Sequence, residues 1–287
     1  RLMIDRVAVI GLGLIGGSFA SGLKQRKLAK HVSAFDIDAR GLEFGLREGI
    51  IDSAAGSVAD ACANAELVML AVPVLSVQTI LPDVPTGALI TDVGSVKVPI
   101  IAASEAVYGE MLETLVPGHP IAGSEQHGVA AADPNLFEKH RVILTPVEVT
   151  DPVATDRVRQ LWRDLGSTVI EMSVEHHDSV LAQTSHLPHL LAYALVDSLS
   201  SQGDSMEVFQ YAAGGFRDFS RIAASDPVMW RDIFKANGPS VLAVLDRFLD
   251  ELDDLRRMIA DGDVEALQQV FQRAKEARDC YSEQYSE

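Results

Sequence analysis

Apolar and polar positions change period near residue 173. Upstream, short β-branched runs at residues 6–10, 31–36, 66–72, 88–93, 141–146 and 168–172 predict strands that alternate with helical segments. These runs are apolar on both faces, which suits a parallel sheet covered by helices, the doubly wound α/β arrangement. Downstream the strand signal disappears and a series of helices begins over residues 176–201. Asp226-Pro227 reads as a cap with proline in the first turn, and Asn237-Gly238 as a helix stop. Between residues 239 and 260, Leu242, Leu245, Leu249, Leu252, Leu255 and Ile259 recur at three- and four-residue steps. Such a stripe needs a cover, either from its own domain or from a second chain. Two domains are expected, residues 1–173 around a mostly parallel sheet and residues 174–287 all-helical, with no repeat or low-complexity linker.

Composition narrows the classes of function. The 287 residues are 47% hydrophobic and 23% charged, enough for two cores. A net charge of −17 argues against nucleic-acid binding, which needs clustered Lys and Arg. An anionic substrate must therefore be held by a few placed cations. Cys62 and Cys280 have neither metal-ligand spacing nor a disulfide framework, as expected of a reducing cytoplasm. The apolar run over residues 7–20 is too short and glycine-rich to span a membrane, and no charged n-region with a cleavage site precedes it in this sequence, so no targeting segment is expected here. The chain starts at Arg1 rather than Met, so a few residues are expected to be missing. The final C-Y-S-E-Q-Y-S-E has no helix stop, which leaves a longer fusion open.

Three segments carry candidate chemistry. G-L-G-L-I-G at residues 11–16 follows the first expected strand and opens a helix expected at 17–24. In that context Gly11 permits the tight turn, Gly13 lets the backbone approach a pyrophosphate, and Gly16 allows close helix packing. Leu14 and Ile15 complete the turn, and the helix N-terminus faces the anion. This is the pattern of a Rossmann dinucleotide site. Asp36 ends the second strand, where a carboxylate accepts hydrogen bonds from ribose hydroxyls and repels a 2′-phosphate. NAD is thus expected over NADP, with Arg40 nearby to soften the preference. Val72, Pro73 and Ser95 stand at carboxyl ends of later strands and point to the same crevice. Ser95 is a candidate for contact with the nicotinamide or a reacting hydroxyl, or else caps a helix starting near Val96. His119 is expected on a loop, where a neutral imidazole titrating near the working pH suits removal of a hydroxyl proton. Glu125 either orients His119 or a substrate group, or is a surface carboxylate. No metal is expected.

These residues resemble the prephenate dehydrogenase family, the cyclohexadienyl and arogenate dehydrogenases of tyrosine biosynthesis. The resemblance runs through G-L-G-L-I-G-G-S, D-V-G-S-V-K at 92–97, G-H-P-I-A-G-S-E at 118–125 and H-L-P-H at 186–189. It continues in G-G-F-R-D-F-S-R-I-A and S-D-P-x-M-W-R-D-I-F between 214 and 234. With the last two taken as one segment, five motifs in one order span nearly the whole chain. They imply a cyclohexadiene substrate with a ring carboxylate at C1 and a hydroxyl at C4, hydride passing from C4 to NAD as the carboxylate leaves as CO₂. The resemblance further implies that His119 takes the hydroxyl proton, that Ser95 bridges it to the nicotinamide, and that Arg221 grips the ring carboxylate bidentately. The alternative for Arg221 is a surface pair with Asp218. His186 and His189, flanking Pro188, which is expected to kink their helix, are implied to line the pocket. Gln126, His127 and His189 are implied to read the substrate side chain, whereas Trp230 and Asp218 fall in a matching helical segment with contact or structural roles. The second domain is implied to dimerise and to complete sites between subunits of a homodimer. A β-hydroxyacid dehydrogenase of the 6-phosphogluconate or 3-hydroxyisobutyrate type is the enzymatic alternative. It would need a catalytic lysine in the second domain, and the surroundings of Lys235 do not match. The non-enzymatic alternative is an NAD-binding regulatory protein.

Overall fold

The structure, a computed structural model, describes residues 3–202 and 205–285. Strands β1 (Ile4–Ile10), β2 (Ala29–Phe35), β3 (Ser53–Ala54), β4 (Leu67–Leu70), β5 (Leu89–Asp92) and β6 (Leu115–Val116) form one parallel sheet in the order β3-β2-β1-β4-β5-β6. Along β1, Val7 and Val9 enter one core and Ala8 and Ile10 the other, so both faces are buried, as the continuous apolar runs imply. The strand order reverses between β1 and β4, the switch point where open α/β sheets bind ligands. Ile10 lies level with Phe35 and with Leu70. That register delivers Gly11, Asp36 and Ala71 to one edge.

Helix α1 (Leu14–Gln25) starts directly after the glycine turn, and α2 (Ala39–Arg47) is capped by Asp38, whose side chain accepts from Arg40 N. Helices α3 (Val58–Cys62), α4 (Val77–Ile80) and α5 (Val98–Tyr108) complete the crossovers. The two strands expected at 141–146 and 168–172 leave this sheet. They are β8 (Arg141–Leu144) and β9 (Thr168–Glu171) of a separate three-stranded sheet, with β7 (Gly118–Ile121) antiparallel to β8 and β9 parallel to it. His119 is therefore on a strand, opposite Ile143, and not on a loop. β7 carries Pro120 and is four residues long, and β3 and β6 have two residues each, too short to show alternation. Trp162 of α6 (Pro152–Asp164) is fully buried, with its ring 5.5 Å from that of Phe19 and 5.0 Å from that of Phe137.

Helix α7 (Val174–Leu181) runs through a π-helical turn at Ala182–His186 into α8 (Leu187–Ser200). Pro188 offers no N–H to the preceding turn, and the widened turn accommodates the missing bond. Helices α9 (Ser205–Gln210), α10 (Gly214–Ser220) and α11 (Pro227–Ala236) follow, with a 3₁₀ turn at Arg221–Ala224. The side chain of Asp226 caps α11 through Val228 N, as its sequence indicates. The chain forms two compact units, Arg1–Gly238 and Pro239–Glu287, so the helices from α7 to α11 belong with the sheets. The second unit holds α12 (Gly238–Asp261) and α13 (Val264–Gln284). Leu242, Leu249, Leu252 and Ile259 of its stripe are exposed, as are Val264 and Phe271. Among the described residues no helix is long and apolar enough to cross a membrane.

Two glycines of the turn make different demands. A Cβ at Gly16 would sit 1.9 Å from Gly11 O, whereas one at Gly13 would meet nothing within 4 Å. Gly16→Ala is expected to cost about 1–3 kcal/mol and lower Tm by several degrees. Gly13→Ala is expected to leave the thermal unfolding of the free protein near wild type, and equal losses in both variants would contradict this reading of the turn.

Candidate active site

The crevice at the switch point is built to receive a phosphate-bearing ligand. Gly11 has φ +94, and a Cβ there would lie 2.2 Å from Ala71 O, so only glycine turns the chain so close to β4. Helix α1 has Gly13 as its N-cap and no side chain capping it, which leaves its first-turn N–H groups for an anion. Leu14 and Ile15 lie half-buried in that turn. Asp36 Oδ2 accepts from Leu12 N at 2.7 Å and Oδ1 from Asp38 N at 2.8 Å. The carboxylate thus ties the glycine loop to β2, and each oxygen keeps a lone pair for a hydroxyl. Val72 is half-buried and Pro73 exposed just beyond β4, where Val72 Cγ1 comes 3.0 Å from a Cβ built on Gly11. These residues suit a dinucleotide with a free ribose.

Beside this crevice lies a buried chain of three side chains. Asp178 Oδ1 is 2.7 Å from His177 Nδ1, and His177 Nε2 is 2.9 Å from His119 Nδ1. The Asp178 carboxylate also accepts from the backbone N–H groups of Lys97 and Val98 at the start of α5, at 2.8 and 3.0 Å. Burial acts to raise its pKa, but these bonds together outweigh it and hold the group below the usual carboxylate range. An ionised carboxylate only accepts, so the His177 proton sits on Nδ1 and its Nε2 is a bare acceptor. His119 must then donate from Nδ1, which leaves its Nε2 unprotonated. Burial, and after it the nearness of His177, Lys97 and His186, pushes His119 well below the ordinary histidine range. The expected titration near the working pH is thus displaced downward, and the ring is neutral across the physiological range.

The flanking residues form two further groups. Ser95 is half-buried on the turn before α5, and its neighbour Val96 packs with Trp230 and Ile233 of α11. Lys97, and not Ser95, occupies the N-cap position of α5, whose first-turn N–H groups go to Asp178. His189 stacks on Trp230 at 3.7 Å with an 18° interplanar angle, and its Nδ1 donates to Ser185 O at 2.8 Å, leaving Nε2 as an acceptor. His186 is fully buried, with Nδ1 accepting from Asn237 Nδ2 at 3.1 Å and its ring edge-on to Trp230 and Phe234. The same Asn237 amide donates to Asp178 O at 2.9 Å. Asn237 therefore ties α7, the π turn and α11 together.

Arg221 does not pair with Asp218. Its Nη1 meets Glu125 Oε2 at 2.7 Å, with the Arg and Glu side chains 58% and 39% exposed. Glu125 consequently does not orient His119, a task that falls to His177. Gln126 and His127 are exposed on the same loop, whose Gly123 approaches Ile15 of the glycine turn. Sequence reasoning missed His177, Asp178, Lys97 and Asn237 as parts of the site. Lys97 lies inside a quoted motif, and E-H-H-D at 175–178 offered an acidic neighbour to a histidine, but only the fold brings them to His119.

Comparison with known proteins identifies the family. The model for the prephenate dehydrogenase nucleotide-binding domain matches residues 19–171, and that for the prephenate dehydrogenase dimerization domain matches residues 173–273. The chain belongs to the prephenate dehydrogenase family. Among family members, the cyclohexadienyl dehydrogenase of Zymomonas mobilis is 38% identical, with 96% of each chain covered. The prephenate dehydrogenase of Bacillus subtilis is also 38% identical, over 96% of this chain and 76% of its own length. A crystal structure of prephenate dehydrogenase from Aquifex aeolicus, in complex with hydroxyphenyl propionate and NAD⁺, superimposes with a TM-score of 0.90 at 37% identity, covering 97% of this chain and 98% of that one.

The neutral histidines of this family member make its stability depend on pH. His177 is lowered mainly by burial, against the pull of Asp178, and His186 is pushed down to about 4 by burial. A histidine lowered in the folded state protonates first in the unfolded chain, so the unfolded state holds more protons as pH falls through 6.5 and stability is lost. Each such group contributes a slope of up to about 1.4 kcal/mol per pH unit. Tm is expected to fall steadily from pH 6.5 towards 4, and His186→Gln is expected to flatten that slope. A Tm independent of pH over this range would contradict neutral burial.

Proposed function

We propose that the protein is an NAD-dependent dehydrogenase that oxidatively decarboxylates prephenate, or its amino counterpart arogenate, in tyrosine biosynthesis. The observation that carries this is the bare Nε2 of His119, held by His177 and Asp178 next to a glycine-turn crevice suited to a dinucleotide. A binding protein has no use for a desolvated proton acceptor there.

In this reading Gly11, Gly13, Gly16, Leu14 and Ile15 hold the pyrophosphate, Asp36 the adenosine ribose, and Val72, Pro73 and Ser95 the nicotinamide side of the crevice. NAD, when bound, accepts the hydride from C4. His119 Nε2 removes the C4 hydroxyl proton as that hydride leaves, with Ser95 bridging the hydroxyl and the nicotinamide. The C1 carboxylate departs as CO₂, its bonding electrons close the aromatic ring, and His119 returns its proton to the ring oxygen. Proton and electron pairs balance without any further reactant. Arg221 holds the ring carboxylate before it leaves, exchanging Glu125 for the substrate anion. His189, stacked on Trp230, faces the substrate side chain with Gln126. The complete burial of His186 and its bond to Asn237 support a structural role better than direct contact.

The functional division we propose assigns residues 1–173 to NAD and residues 174–287 to substrate and dimerisation. The exposed apolar residues of α12 and α13 and the match to a dimerization domain support a homodimer. The unpaired Cys62 and Cys280 accord with a cytoplasmic location.

The deciding experiment is NADH formation from prephenate, with arogenate assayed in parallel. His119→Asn is expected to lower kcat roughly 10²–10⁴-fold with a modest change in KM. Arg221→Ala is expected to cost on the order of 2–4 kcal/mol in kcat/KM, chiefly through KM, and Arg217→Ala much less. NAD should be preferred to NADP by at least about tenfold because of Asp36. A wild-type protein inert towards both substrates, or a His119→Asn variant of near-normal kcat, would overturn the assignment.

A further inference from the structure

A buried ion pair stands directly behind both segments that carry the proposed chemistry. The side chains of Lys97 and Asp92 are 0% and 1% exposed. Lys97 Nζ donates to Asp92 Oδ2 and to the Gly118 carbonyl, each at 2.5 Å. Asp92 accepts in turn from Gly118 N through Oδ1 at 3.0 Å and from Gly94 N through Oδ2 at 2.9 Å. Gly118, the residue before His119, is thus gripped at its N–H and its carbonyl. Gly94, the residue before Ser95, is gripped at its N–H. A Cβ on Gly94 would lie 2.6 Å from Val74 Cγ1 and 2.9 Å from Asp92 Oδ2, so the fit around the pair admits no side chain.

Burying two charges is expensive, and an apolar pair of similar volume would pack the same space at lower cost. Hydride transfer also needs no lysine, and this ammonium is committed to Asp92 and Gly118. We propose that Lys97 is a positioning residue for the reaction: with Asp92 it fixes Gly118 and Gly94, hence the placement of His119 relative to Ser95, and its ammonium, held by Asp92, stands beside the His119 segment. The inference rests on the dehydrogenase reading above. The titratable and charged groups around His119 are His177 and Asp178 of α7, His186 of the π turn, Asp92 of β5 and Lys97 itself. Among these, Lys97 adds to the effect of burial and of His177 in disfavouring protonation of His119. Removing its charge makes protonation easier, so the acid limb of the rate profile must move to higher pH.

Two variants separate the charge from the clamp. Lys97→Gln/Asp92→Asn replaces both charges by amides that can still bond to Gly118 and Gly94. Lys97→Met removes the charge and the grip on the Gly118 carbonyl. For each, Tm reports folding, kcat and KM for prephenate are measured from pH 5 to 9, and His119 protonation is followed by ¹⁵N-histidine NMR without substrate or NAD. The amide pair is expected to fold and to move both the acid limb and the NMR midpoint of His119 upward by at least about half a unit, with KM for prephenate within about threefold. Lys97→Met is expected to show the same shift and, at the plateau pH, a kcat lower by about tenfold or more. If Lys97→Met does not fold, the amide pair alone decides. An unchanged His119 midpoint in a folded variant, or an unchanged plateau kcat in folded Lys97→Met, would overturn the proposal. Because the NMR midpoint needs no turnover, a wild type inactive on prephenate would refute the dehydrogenase reading while leaving the Lys97 effect on His119 separately measured.

Discussion

The buried carboxylate of Asp178 is the point on which the rest of the site depends. It accepts from His177 Nδ1 and from the two N–H groups that open α5, while the Asp178 carbonyl accepts from Asn237 at the end of α11. A carboxylate out of water is tolerable only when its lone pairs meet such donors, and charge-assisted bonds of this kind are the strong ones. The same bonds decide chemistry. Since Asp178 can only accept, the proton positions along His177 and His119 follow in one direction. Assembly of the helices onto the sheets and preparation of a proton acceptor are thus one event.

The cofactor side rests on a different constraint, the close approach of backbones. Gly11 and Gly16 are needed because their neighbours leave no room for a side chain, whereas Gly13 stands in open space where a ligand has room to approach. Asp36 links the two constraints, fixing the glycine loop through Oδ2 and its own turn through Oδ1 before any ribose arrives. In the proposed reading the anionic substrate is met by one exposed arginine, Arg221, which is paired with Glu125 beforehand. In a chain of net charge −17, that arrangement keeps the cationic grip local.

Much of this was legible in the sequence, for reasons that differ from one element to another. The buried strands of the parallel sheet declare themselves as apolar runs, and the glycine turn by spacing and context. The separate three-stranded sheet was not legible, because β7 is four residues long with Pro120 inside it and pairs with β8, more than twenty residues away in the chain. His119 and Arg221 were found through motifs, but their partners were not. Glu125 and Arg221 stand 96 residues apart in sequence, and His119 and His177 stand 58 apart. Local pattern carries no record of such pairings. Lys97 shows the same limit from the other side, since a lysine in a motif reads as surface or ligand-binding until its complete burial is seen.

The central claim is that Asp178, through His177, fixes His119 as a neutral imidazole with its proton on Nδ1 and a bare Nε2. The most direct measurement is ¹⁵N NMR of selectively labelled histidine at neutral pH, with the His119 signals assigned by comparison with His119→Asn. The account predicts a protonated Nδ1 and an unprotonated Nε2. A proton on Nε2, or a ring protonated at both nitrogens at that pH, would contradict it.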